Sequence, residues 1–117
     1  MNTFADCIHE RRQALNEHDR RFSLRQVAYR IGVEPSYLSK LERGERAPLS
    51  EEKTRALAEE LGLDPDVVLA MSGKVSRDLQ EVILRRPQLF GELIRSLRDL
   101  PDHAVLRIVR EVRDGEW

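Results

Sequence analysis

The sequence predicts an all-α fold, and three observations lead to it. Apolar residues recur at spacings of three and four, and no segment alternates as a strand would. Each periodic segment is short and opens with Ser, Thr, Asp or Pro, and several close at Gly, the residues that begin and stop helices. The chain of 117 residues is 40% hydrophobic and 35% charged, which suits one modest core under solvated helix faces.

The first helix is expected from Thr3, as N-cap, to His18, with Phe4, Ile8 and Leu15 inward and Cys7 beside them as a core residue. Glu17 to Arg21 reads as its fraying end and a loop. Ser23 then caps a second helix with Val27, Ala28 and Ile31 on one face, and Gly32 stops it in a left-handed conformation. Glu34-Pro35 restarts the chain, since proline suits a first helical turn; this third helix runs to Glu42 and Gly44 ends it. After the connector Ala47-Pro48-Leu49, Ser50 caps a fourth helix whose Glu51 and Glu52 favour the helix dipole, and Gly62 closes it. Asp64-Pro65 opens a fifth helix with Val67, Val68, Leu69 and Met71.

A module boundary at Ser72-Gly73-Lys74 divides the chain into 1–73 and 74–117. Three further helices follow. Ser76 to Arg86 carries Leu79, Val82 and Ile83; Pro87 to Arg98 carries Phe90, Leu93, Ile94 and Leu97; Pro101 to Asp114 carries Val105, Ile108, Val109 and Val112.

Several classes of function are disfavoured. No run approaches the roughly 18 apolar residues of a membrane span, and Met1-Asn2-Thr3-Phe4-Ala5-Asp6 reaches a carboxylate too early for a secretory leader. One cysteine allows neither an internal disulfide nor a Cys-rich zinc site, and His9, His18 and His103 lack metal spacing. No nucleophile, acid–base pair or phosphate loop stands out, so neither catalysis, metal nor cofactor is expected. The expectation is a cytoplasmic protein without membrane contact.

Net charge is −1, yet it is unevenly spread. Residues 20–46 hold seven cations (Arg20, Arg21, Arg25, Arg30, Lys40, Arg43, Arg46) against three anions, while residues 50–73 hold two cations against six anions. One region is therefore electropositive, as a nucleic-acid reader needs, although solvated helix faces would look the same.

Ser23 to Gly44 carries the function. A short helix, a glycine turn and a second short helix make a helix-turn-helix, with Ala28 allowing a close crossing and Val33 plugging the turn. Counted from Ser36 at about 100° per residue, Lys40 falls near +40°, Arg43 near −20° and Ser39 near −60°, whereas Leu38 and Leu41 fall near 200° and 140°. One face is apolar. The other bears hydroxyls and positive charge, the chemistry that reads base edges in a major groove about 12 Å wide. Tyr37, on the flank, can reach a phosphate or sugar. Taken singly, Ser36, Lys40 and Arg43 also describe an ordinary exposed face.

The runs Val27-Ala28, Ile31-Gly32-Val33, Ser36-Tyr37-Leu38-Ser39-Lys40-Leu41-Glu42-Arg43-Gly44 and Ala58-Glu59-Glu60-Leu61-Gly62, with Arg46, resemble the XRE family of lambda-repressor-like helix-turn-helix proteins. The resemblance covers residues 4–71. It implies a five-helix DNA-binding fold, followed here by the three-helix segment, with 34–42 as recognition helix. It implies base-facing positions for Pro35, Ser36 and Lys40, backbone positions for Arg43 and Arg46, and an ion pair between Arg12 and Glu42. Ser23, Arg25, Tyr37 and Ser39 complete the expected DNA-binding set. Three departures stand out. Leu24 replaces the family's glutamine, leaving Arg25 as the nearest substitute; Glu34 replaces Ser or Thr before the recognition helix; and a longer first loop adds Arg20 and Arg21, as extra backbone contacts or as solvated residues.

The stripes of the last two helices must meet the helix-turn-helix body, each other or a second subunit, and the last is the leading expectation. A homodimer through Phe90, Leu93, Val105, Ile108, Val109 and Val112 would hold two recognition helices about 34 Å apart on double-stranded DNA, matching a palindromic operator. Arg107, Arg110 and Arg113 alternate with Glu111 and Asp114 as an exposed, salt-bridged face, and Trp117 is either an anchor or a frayed end. The leading expectation is a transcriptional regulator, most simply a repressor. Its rivals are an antitoxin with autoregulatory DNA binding and an interaction module that has lost DNA binding; a protein partner would then be a toxin, an antirepressor or a protease.

Overall fold

The computed structural model describes residues 3–45 and 49–116. Among them the chain is all-helical, with α1 (Thr3–Asn16), α2 (Leu24–Ile31), α3 (Pro35–Glu42), α4 (Glu51–Glu60), α5 (Pro65–Met71), α6 (Arg77–Arg85), α7 (Pro87–Leu97) and α8 (Asp102–Asp114). Thr3 is itself helical in α1 and does not stand before the helix as its cap, and α1 ends two residues earlier than its periodicity implies. Between α1 and α2 the expected plain loop contains a 3₁₀ turn, Arg20–Phe22. Asp19 organises it, its side chain accepting from the Arg21 backbone N–H at 3.0 Å.

The described chain falls into two compact units, one ending at Ser76 and the other beginning at Arg77. The division lies three residues beyond the sequence-based boundary. Lys74 accounts for part of the shift, since its Nζ donates to the Leu49 carbonyl at 3.2 Å, and buried Ser76 completes the first unit.

In the first unit the apolar stripes of five helices meet in one core. Phe4 and Ile8 of α1, Val27, Ala28 and Ile31 of α2, Leu38 and Leu41 of α3, Leu57 and Ala58 of α4, and Val68 of α5 are all buried, with Leu49 and Leu61 beside them. Complete burial of a leucine or valine contributes about 1.5–3 kcal/mol, so this cluster fixes the crossing of α2 and α3. Cys7 is only half-buried, and Val67 and Met71 face outward while Val68 and Leu69 turn in.

The turn between α2 and α3 depends on Gly32. Its φ of 76° is left-handed, letting the Val33 N–H reach back to the Ala28 carbonyl at 3.0 Å. Lys53 of α4 completes the closure, its Nζ donating to the Ile31 carbonyl at 2.9 Å. A Cβ at Gly32 would stand 2.7 Å from that Nζ, which the flexible lysine chain can move aside, so it is the left-handed backbone that demands glycine.

The second unit has a different character. Its helices are amphipathic, yet no described residue from Arg77 to Glu116 is buried. Ile83, Phe90, Leu97, Val105 and Ile108 are half-buried, while Leu93, Ile94, Val109 and Val112 are 45–61% exposed. About forty residues enclose too little volume for a core of their own.

Candidate nucleic-acid interface

The site is built on α3. Pro35 opens it at the first helical position and Glu34 holds the cap position without a side-chain capping bond. Leu38 and Leu41, at 0% and 1% exposure, pin one face to the core. The opposite face follows from helical geometry alone: Ser36 and Arg43 are exposed, and Pro35, Ser39 and Lys40 are half-exposed. Tyr37 packs against the edge of the core while remaining partly accessible.

A buried ion pair sets the attitude of this helix. Arg12 donates from Nε to Glu42 Oε2 at 2.7 Å and from Nη2 to Glu42 Oε1 at 2.9 Å. Its Nη1 also reaches the Phe22 carbonyl at 3.2 Å, so one guanidinium ties α1, the 3₁₀ turn and the end of α3 together. Both residues are 7% exposed. The pair that the family resemblance implies is thus present, and in the two-point geometry that arginine favours with carboxylates. Sequence reasoning missed a third member: His9 Nδ1 lies 2.7 Å from Glu42 Oε1. The legible signal was spacing, because residues 9 and 12 share one face of α1.

The cationic residues have diverse partners. Arg43 Nη1 donates to Ser39 Oγ at 2.8 Å, while its Nε and Nη2 both donate to Glu45 Oε2, at 3.2 and 3.0 Å. Arg30 bonds Glu60 at 2.6 Å and lies 5.6 Å from the centre of the Phe22 ring, so its charge braces α2 against α4. Arg21 closes its fork on Asp19 at 2.7 Å. That hydrogen bond holds the Asp19 carboxyl below the usual carboxylate range, and Arg21, expected either as an extra contact to the DNA backbone or as a solvated residue, is exposed and paired with Asp19. Arg20 and Arg25 are exposed.

Ser23 has a local task. Its Oγ accepts from the Gln26 backbone N–H at 3.3 Å, capping α2. Arg46 lies outside the described residues, as does Trp117. Tyr29, absent from the sequence-based set, is 81% exposed on α2, one turn beyond Arg25. Among the described residues no helix is long and apolar enough to cross a membrane.

A family model described as a helix-turn-helix domain matches residues 3–71. The comparisons with curated proteins and with solved structures give no match.

Proposed function

The chain belongs to the helix-turn-helix domain family, whose members are XRE-like DNA-binding domains, and from that premise we propose that it is a sequence-specific transcriptional regulator, acting as a repressor on a palindromic operator. The observation that carries this reading is the division of α3 into two faces. Leu38 and Leu41 are sealed in the core while Ser36, Ser39, Lys40 and Arg43 are accessible together on the other side. Hydroxyl and ammonium groups on a narrow helix match the donors and acceptors of base edges in the major groove. Arg25, Tyr37 and Arg46 reach the flanking phosphates, and Ser23 fixes where α2 starts.

The unit that ends at Ser76 is the DNA-binding module and the unit that begins at Arg77 the dimerisation segment. The half-exposed Phe90, Val105 and Ile108 and the exposed Leu93, Val109 and Val112 support this reading, because such stripes gain stability when a second copy covers them. Two copies then present two copies of α3 to one face of the duplex. The protein works in the cytoplasm, beside the DNA it controls.

Selection of bound duplexes from a random pool tests the reading. A recovered palindrome with half-sites about one helical turn apart is the expected outcome. Failure to enrich any sequence would contradict it, as would isolation of the chain in a stable one-to-one complex with a toxin and without DNA affinity.

A further inference from the structure

We infer that Glu45 is an internal competitor for Arg43, a positioning residue that lowers the affinity of the DNA-binding face by occupying the guanidinium a phosphate would otherwise take. The inference rests on the proposed DNA-binding role and deepens it.

The geometry originates in the backbone. Gly44 adopts a φ of 75°, and the chain folds back so that the Glu45 N–H bonds the Lys40 carbonyl at 2.9 Å. This returns an acidic side chain to the end of α3 instead of leading it away. Arg43 then directs two of its three nitrogens at one carboxylate oxygen, and its third at Ser39 Oγ, 2.8 Å away. A phosphate oxygen asks a guanidinium for the same fork of N–H donors. Glu45 Oε2 therefore stands where a DNA oxygen would have to stand for Arg43 to grip it from its present rotamer.

Binding must exchange one anion for the other. Arg43 releases the carboxylate, and Glu45 either turns aside or repels the arriving phosphate. Both members are more than half exposed, at 56% and 55%. The pair is accordingly weak, as solvent-screened surface ion pairs are, and the exchange is easy. Its effect is a brake on affinity and leaves the fold unaffected. Damage to the fold can only weaken binding, whereas release of a competitor strengthens it, so the direction of change separates the two.

The test is a double-mutant cycle with Glu45→Gln, Arg43→Ala and the combined variant, read by fluorescence anisotropy on the selected operator and on a mixed-sequence duplex. Glu45→Gln should bind the operator about two- to five-fold more tightly than wild type. Glu45→Ala should do the same, and Glu45→Asp should fall between. In the Arg43→Ala background the gain should largely disappear. If Glu45→Gln and Glu45→Ala bind no more tightly than wild type, the inference is overturned while the proposed function stands. A gain of equal size without Arg43 also overturns it, because Glu45 would then act only as bulk negative charge. Wild-type protein that binds no duplex overturns both readings.

Discussion

Arg12 and Glu42 lie thirty residues apart in sequence and form a two-point ion pair, 2.7 and 2.9 Å long, that joins α1 to the last residue of α3. Because both ends are nearly excluded from water, the pair ties the end of α3 closely to α1. Truncating Arg12 leaves the Glu42 carboxylate with His9 as its remaining side-chain partner among the described residues. Arg12→Ala should lower the free energy of unfolding by about 3–5 kcal/mol in urea titrations. A loss below about 1 kcal/mol would show that His9 or water sustains the Glu42 carboxylate without Arg12.

Gly32 offers a second check on the motif. Gly32→Ala places a side chain in left-handed backbone and against Lys53 Nζ, 2.7 Å from the new Cβ. It should cost about 1–3 kcal/mol of stability. Lys53→Met removes the crowding and also the bond to Ile31, so Gly32→Ala should cost less in that background, by a difference a thermal-melt cycle can resolve.

Under the proposed function, Lys40 reads a base edge. Lys40→Ala should cost about 1–3 kcal/mol on the selected operator and relax discrimination at one base pair. Arg46→Ala should weaken all duplexes alike and flatten the salt dependence by about one unit of slope. Binding titrations over a range of salt concentrations distinguish these behaviours.

The second unit predicts a concentration-dependent assembly. Leu93 and Val109 are 45% and 49% exposed, so Leu93→Asp and Val109→Asp disturb no core within one chain. Each should shift the protein toward monomer in sedimentation equilibrium and weaken operator binding by about tenfold or more through lost bivalency. Unchanged dimers would assign those faces to another partner.

Much of this molecule was legible in its sequence for local reasons. Helix periodicity, Ser23, Ser50 and Asp64 as caps, and Gly32 as a stop are written in short windows, and the structure places all of them as those windows imply. The outward set on α3 was equally legible, because Leu38 and Leu41 leave only one face for Ser36, Lys40 and Arg43. What stayed hidden depends on groups distant in sequence or on rotamers. The bond from Lys53 to Ile31 spans 22 residues, and no pattern advertises it. Arg30 counted toward an electropositive region, but Glu60, thirty residues away, takes its charge. Glu45 counted as one anion among several until the left-handed Gly44 brought it alongside Arg43. The 3₁₀ turn escaped because Asp19, read as loop, caps it through a single side-chain bond.

The most direct measurement is the operator affinity of the combined Lys40→Ala, Arg43→Ala variant, compared with wild type at matched salt and with its melting temperature recorded. Both substitutions lie on the accessible side of α3, so the fold should persist while affinity falls by at least about tenfold, or ~1.4 kcal/mol. A folded variant that holds the operator as tightly as wild type would contradict the assignment of this helix to DNA.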